Sequence, residues 1–191
     1  MFEKLRSGLI GFEIDDAKKT DIQHIINISV ELFGENYLNK TTILQWFDNQ
    51  YNIRKAVYNS QIVGFYISKT IFSVNDIEGK LLPVIEKTHK LKLPAAYLKL
   101  IGVRKEFQAK GIGKSMLNHF LSIHRCNYFF TTVWISKNEN RLISLLREKL
   151  FTCDTEINNY WHNESIQKQY NCIDCGAPPC ICGMQLFSLV I

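Results

Sequence analysis

The sequence predicts a mixed α/β layer architecture, and three observations lead there. Strand-like and helix-like runs follow one another in the order strand, two helices, three strands, helix, strand, helix and two or more strands. The apolar run AYLKLIGV passes through a glycine-bearing turn straight into an amphipathic stripe that starts at Ile112. The 191 residues are 46% hydrophobic and 21% charged, enough to build a core in one domain spanning 1–191.

Taken in order, residues 9–15 (LIGFEID) alternate and predict a first strand. Thr20 or Asp21 can cap the next helix. Along that helix Ile22, Ile25, Ile26, Ser29, Val30 and Phe33 recur at helical spacing, and Gly34 suits its end. Thr41 and Thr42 open a shorter helix with Ile43, Leu44, Trp46 and Phe47. Strands near 53–58 and 61–69, joined by Asn59-Ser60, read as a hairpin. Gly64 inside it marks a bulge or a close backbone approach. Residues 73–95 form an excursion between strands, with turn signals at Asn75-Asp76 and Glu78-Gly79 and a short helix between Leu81 and Leu91. The strand over 96–103 follows. The next helix carries Ile112, Met116, Leu117, Phe120, Leu121 and His124 on one stripe. YFFTTVWI at 128–135 reads as a buried strand, and Asn138 or Asn140 opens a helix to about Lys149. Phe151 to His162 reads as extended, and GMQLFSLVI as a last strand.

Composition excludes several classes. A net charge of +5 is mildly basic and does not by itself argue for nucleic acid; an anionic ligand accounts for it equally well. The opening MFEKLRSGLIGFEIDD meets acids too soon for a secretory signal. No apolar run approaches the roughly 18 residues that span a bilayer. A soluble cytoplasmic protein without a membrane partner is expected, and a homodimer is left open. Cys126 and Cys153 stand alone and read as small buried hydrophobes.

The stretch from Val103 to Lys114 carries the most chemistry. A glycine turn opening a helix leaves backbone N–H groups aimed outward, and the helix dipole adds partial positive charge, which makes a phosphate site. Arg104, Lys105, Lys110 and Lys114 add formal charge. A Walker A loop fails because position 108 is Gln, and a dinucleotide fingerprint fails at Met116. What fits is Q-x-x-G-x-G after a strand ending in valine: Val103, Gln108, Gly111, Ile112 and Gly113. With this motif on its strand–turn–helix, the chain over about 9–160 resembles the GNAT superfamily of N-acetyltransferases.

That resemblance implies a mostly antiparallel sheet of six to seven strands flanked by about four helices, and acetyl-coenzyme A as cosubstrate. Backbone N–H groups of Gln108, Ala109, Lys110, Gly111, Ile112, Gly113 and Lys114 would hold the pyrophosphate, and backbone at Ile101 and Val103 would pair with the pantetheine arm. Gly102 would admit the cofactor closely. The following strand would splay away, and the thioester carbonyl would meet a backbone N–H near Val103. Asn140 would sit near the pantetheine; as a helix cap it needs no such role.

The family's general acid is a tyrosine in the helix after the fifth strand. Here NRLISLLREKLF places Arg147 at that position, and a guanidinium is a poor proton donor. Arg147 could still stabilise a thiolate; Cys153, Tyr160 or a water are the other candidates. For a general base, Glu86 and His89 in the excursion and Glu106 in the loop are the acids and imidazole within reach, each of which can equally be solvated. Tyr97 can bind substrate or pack.

Cys172-x-x-Cys175-Gly176 followed by Cys180-x-Cys182 has the look of a zinc knuckle with a compact second half, within 172–182 of the C-terminal hairpin. Four thiolates at about 2.3 Å would complete a structural Zn2+ site with no open position. Disulfides, a redox pair or an iron–sulfur centre are the alternatives. Such a cluster is not general among GNAT domains. The resulting expectation is transfer of an acetyl group from acetyl-coenzyme A to a primary amine on a small molecule or peptide. The alternatives are a catalytically weak acyl-coenzyme A sensor or interaction module, motivated by Arg147, and a nucleic-acid-associated zinc protein.

Overall fold

The computed structural model describes residues 11–135 and 140–191. Leu9 and Ile10 of the expected first strand, and the alternative cap Asn138, lie outside the described residues. The chain runs β1 (Phe12–Asp16), α1 (Ile22–Phe33), α2 (Lys40–Asp48), β2 (Asn52–Tyr58), β3 (Gln61–Ile71), α3 (Leu82–Glu86) and β4 (Ala95–Val103). It continues through α4 (Ile112–Ile123), β5 (Tyr128–Ile135), α5 (Arg141–Glu148), β6 (Thr152–Ile157), α6 (His162–Lys168) and β7 (Gly183–Val190). One sheet of order β1-β2-β3-β4-β5-β7-β6 is antiparallel except where β4 meets β5. This is the mostly antiparallel mixed sheet expected, with six α-helices among the described residues, the short α3 falling inside the excursion as expected and α6 being additional.

The sheet is covered on both faces. On one, Tyr66, Ala96, Leu98, Phe129 and Phe187 meet Ile112, Met116, Leu117 and Phe120 of α4 and Leu146 of α5. Phe120 is wholly buried, with its ring centroid 5.7 Å from Phe129 in an edge-to-face pair. Truncating it to alanine costs about 3–5 kcal/mol. On the other face α1 and α2 bury Ile22, Ile25, Ile28 and Ile43 against Ile53, Phe65 and Ile67. Ile28 faces inward where the sequence pattern favoured Val30, which is exposed. Beside them the excursion and α6 bury Leu81, Ile85 and Trp161 against Ala95, Tyr97 and Phe130.

Two glycines explain the tight centre. A Cβ on Gly64 would lie 2.9 Å from the Gly102 carbonyl oxygen, and the β2–β3 register slips beside it, so Gly64 meets both expectations for it. A Cβ on Gly102 would lie 2.6 Å from Leu32 Cδ1. Gly102 thus lies where Leu32 of α1 packs onto β4.

Three further expectations are corrected. The extended run stops at Ile157, and Tyr160–Trp161 lead into α6. The segment IQKQYN is the end of α6 and a turn, so the strand that leads into the cysteine-bearing connection is β6, paired antiparallel with β7, and α6 lies between. Cys153 is exposed and Cys126 only half-buried, so neither is a core residue. Loss of water around the sulfur raises both thiols above their ordinary pKa, and at Cys153 the charges of Asp154 and Glu156 add to it.

Candidate functional site

The parallel ladder between β4 and β5 ends at Leu98–Thr131. At that point Ile67 of β3 pairs with Leu100 and Ser68 with Leu98, leaving Lys99 as an extra residue on β4. A bulge of this kind bends its strand and ends pairing. Beyond it β4 and β5 part. The Arg104 N–H donates to the Val63 carbonyl at 2.9 Å, which fixes the alternation: Gly102 and Leu100 bond toward β3, while Ile101 and Val103 turn their N–H groups toward the gap. The Val103 carbonyl accepts from Gln108 Nε2 at 2.9 Å, so Gln108 ties the loop to the strand.

The loop after β4 is left-handed at Ala109 (φ 59°) and Gly111 (φ 87°), and Gly111 caps α4. The Gln108 N–H donates to Lys105, which removes it from the expected cradle. The N–H groups from Ala109 to Lys114 have no acceptor among the described residues, and the first intrahelical bond runs from the Ser115 N–H to Gly111. Successive free N–H groups at a helix start form an anion-binding nest. A Cβ on Gly113 would meet only ordinary contacts, 3.6 Å from Leu145 and 3.9 Å from Val103. Packing within the described residues therefore does not require glycine there. These features fit a pyrophosphate on the loop and an extended chain along β4. Of the four expected bases, Arg104 is paired with Glu31, which also accepts from the Lys105 N–H at 2.5 Å. Lys114 lies 2.5 Å from Glu148, and Lys110 rests over the Phe107 ring. Asn140 accepts from the Leu142 N–H and donates to the Trp134 carbonyl, so it serves as the α5 cap and ties off β5.

Where β4 and β5 part, a cleft opens on the face opposite α4. It is lined by Tyr37 and Trp46 from α1–α2, Glu78 and Lys80 from the excursion, and Tyr97, Lys99 and Leu100 of β4. Thr132 of β5 and Tyr160, Trp161, Glu164 and Lys168 of the β6–α6 segment complete it. Glu78 is ion-paired with Lys99 on the bulge, and Glu164 with Lys80 and, at 2.6 Å, with Lys168. Burial, reinforced by the charges of Glu78 and Glu164, raises the Tyr160 phenol well above its ordinary pKa, so it stays protonated. Burial does the same to Tyr97, which stacks on Phe130.

Tyr160 is thus the one expected catalytic candidate that reaches the cleft. Arg147 is exposed on α5 and does not line it, and Glu86 and His89 are exposed on and after α3, also outside it. Glu78 and Glu164 were missed by sequence reasoning. Glu78 sat in what reads as a turn signal and Glu164 just past the run read as extended, and no local pattern links either to β4.

The four cysteine sulfurs lie within 4.8 Å of one another. Cys172–Cys182, Cys175–Cys180 and Cys175–Cys182 are separated by 3.8, 3.9 and 3.3 Å, too far for disulfides and near the ~3.8 Å edge of a tetrahedron with metal–sulfur bonds of about 2.3 Å. The N–H groups of Asp174 and Cys175 point at Cys172 Sγ, and Cys172 and Gly176 exchange backbone bonds in a tight knuckle. The donor set fits zinc. The cluster also straps the cleft: the Cys180 N–H donates to Ser165 of α6, and Asn171 donates to Glu35 beside Tyr37.

A family model described as the acetyltransferase (GNAT) family matches residues 22–150. Among solved structures, the chain is similar to NAA60 of Arabidopsis thaliana in complex with a bisubstrate analogue, at 16% identity and TM-score 0.67, covering 95% of this chain and 98% of that one. It is also similar to the ribosomal-protein-alanine N-acetyltransferase of Brucella melitensis, at 14% identity and TM-score 0.61, covering 94% and 99%. Among curated proteins no sequence matches. No helix among the described residues is long and apolar enough to cross a membrane.

Proposed function

The chain belongs to the acetyltransferase (GNAT) family and is an acetyl-coenzyme A-dependent acyltransferase; from that premise we propose that it acetylates a primary amine, on a small molecule or a peptide, by direct attack on the thioester. The observation that carries this reading is the coincidence of three features: β4 leaves β5 at Leu98–Thr131, an unpaired N–H nest follows on the same strand, and an aromatic and acidic cleft opens at the gap. Acetyl-coenzyme A supplies the acetyl group as an activated thioester. The nest from Ala109 to Lys114 binds its pyrophosphate, with Lys110 and Lys114 nearby, and Ile101 and Val103 pair with the pantetheine arm. Backbone near the bulge at Lys99–Leu100, where the ladder opens, would be the part of β4 available to the thioester carbonyl.

In the cleft, Glu78 takes the proton from the attacking amine, directly or through water, and the Tyr160 phenol gives one to the departing thiolate. A phenol is a weaker acid than a thiol, but a thiolate forming against a protonated neighbour in a water-poor cleft is neutralised as it develops. Tyr160 supplies the donor that Arg147 cannot, which favours catalysis over the sensor reading. Zinc held by Cys172, Cys175, Cys180 and Cys182 is structural and braces α6 and the α1–α2 loop around the acceptor; four sulfurs leave it no open position. We place the protein in the reducing cytoplasm, as one domain over 1–191, with the excursion 73–95 as one cleft wall.

The test is release of free thiol from acetyl-coenzyme A with a panel of amines. Turnover by the wild type, reduced about 100-fold in Tyr160→Phe with coenzyme A affinity retained, supports the assignment. Cofactor binding with no turnover on any amine would return the sensor reading.

A further inference from the structure

The cleft contains a small receptor that the protein already fills with a side chain of its own. The Lys80 ammonium lies 4.5 Å from the centre of the Tyr160 ring and 4.6 Å from that of Trp161, and is ion-paired with Glu164. The two rings stand edge to face at 87°, with centroids 4.9 Å apart, and form a corner. Their faces carry the negative side of the ring quadrupole, and the carboxylate closes the third side. This is the chemistry that recognises an alkylammonium.

The receptor is fixed and its occupant is not. The Trp161 indole N–H donates to the Gly183 carbonyl at 3.2 Å, which pins that ring to β7. Glu164 keeps its second oxygen on Lys168, so the carboxylate stays in place when Lys80 leaves. Lys80 instead arrives from the turn before α3 on a long side chain that is 41% exposed. Glu78 and Lys99 lie in the same cleft and pair with each other, so their charges balance locally.

We propose that the corner of Tyr160, Trp161 and Glu164 is a recognition subsite for an alkylammonium group of the acceptor, distinct from the amine that is acetylated, and that Lys80 holds its place in the free protein. The acceptor is then a molecule with two amines separated by a few carbons: a free diamine or polyamine, or a polypeptide with a lysine beside the reacting amine. This rests on the cleft being the acceptor site. Exchange of one ammonium for another leaves charge and ring contacts nearly unchanged. Lys80 therefore acts as a filter: an acceptor without the second cation does not replace what it displaces. An internal occupant present about nine-tenths of the time weakens apparent binding about tenfold.

Tryptophan fluorescence titrations without acetyl-coenzyme A test this with three probes: 1,5-diaminopentane, the tripeptide Ala-Lys-Ala and the tripeptide Ala-Ala-Ala. Lys80→Ala is expected to bind the diamine or the lysine peptide about tenfold more tightly than wild type, and adding Glu164→Gln is expected to cancel the gain. Ala-Ala-Ala should not respond to either change. Gain with the diamine alone identifies a free amine as the source; gain with the peptide alone or with both identifies a polypeptide as an accepted source. Unchanged binding of both cationic probes in Lys80→Ala, or a gain that survives both Glu164→Gln and Tyr160→Leu, overturns the proposal. Coenzyme A binding is titrated separately: its failure would sink the acyltransfer mechanism at the β4 edge and leave the amine result standing.

Discussion

The two sides of the β4–β5 gap are built from different materials. The proposed cofactor edge is almost wholly backbone: N–H groups from Ala109 to Lys114 that have no acceptor among the described residues, two more turned to the gap at Ile101 and Val103, and a glycine whose Cβ the fold itself would accept. The proposed acceptor cleft is almost wholly side chain, five aromatic residues with two acids and three lysines drawn from α1–α2, the excursion, β4 and the β6–α6 segment. A backbone site is set by a few local torsions and tolerates change in most of its side chains. A side-chain site is only as well placed as the elements that carry it, which is why the cysteine strap stands on that side and not on the other.

Four experiments sharpen or break this contrast. The largest effect is expected from the strap. Chelation, or Cys172→Ser, should remove one zinc per chain and lower the melting temperature by about 10 °C, corresponding to several kcal/mol in a chain of this size. Exposed Cys153→Ser should change neither. Calorimetry with elemental analysis decides, and less than half a zinc per chain in protein purified without chelators would remove the metal from the account. Next, Cys172→Ser should raise KM for the acceptor while leaving coenzyme A affinity within about threefold, because the strap braces only the side-chain site. Equal loss on both sides would erase the contrast.

Gly113→Ala separates binding from folding. The new methyl meets only ordinary contacts within the protein and removes a helix glycine, so stability should hold or rise by up to about 1 kcal/mol. Coenzyme A should bind about tenfold more weakly, as isothermal titration would show. The smallest effect concerns a group remote from both sites. His124, bridged between Ser68 and Thr70, has its pKa pushed down to about 4 by burial, with help from the charges of Arg54 and His119. The unfolded chain takes up that proton near pH 6.5 and the folded one only near 4, so stability falls as pH drops through that window. Discounted for a partly solvated ring, the loss from pH 7 to 5 is about 1 kcal/mol, or 2–4 °C. Melting curves of His124→Asn should lack it.

The same contrast decides what could be read from the sequence. The nest lies within twelve residues, from Val103 to Lys114, so its spacing is visible on the page, and its strand and helix are periodic enough to place it. The order of elements was legible for the same reason. That Leu32 of α1 packs against Gly102 is a relation only the fold reveals. The run after Phe151 misled because Asn158-Asn159 turns the chain, and α6 is stabilised by burying Trp161 and Ser165 more than by its own periodicity. Glu78 meets Glu164 across 86 positions, a relation no local pattern carries.

The strand order has a consequence for how the molecule reaches this state. β7, last in the chain, inserts between β5 and β6, and it is the strand on which β6 pairs. Until residues 183–190 are in place, β6 has no strand to pair with and the Trp161 indole lacks the Gly183 carbonyl that holds it. The cofactor edge is assembled from neighbours in sequence and can form early, whereas the acceptor side waits for closures of long sequence separation, the slow kind. On the proposed function, a ribosome-bound chain would hold a place for the acyl donor before it could select anything to acylate.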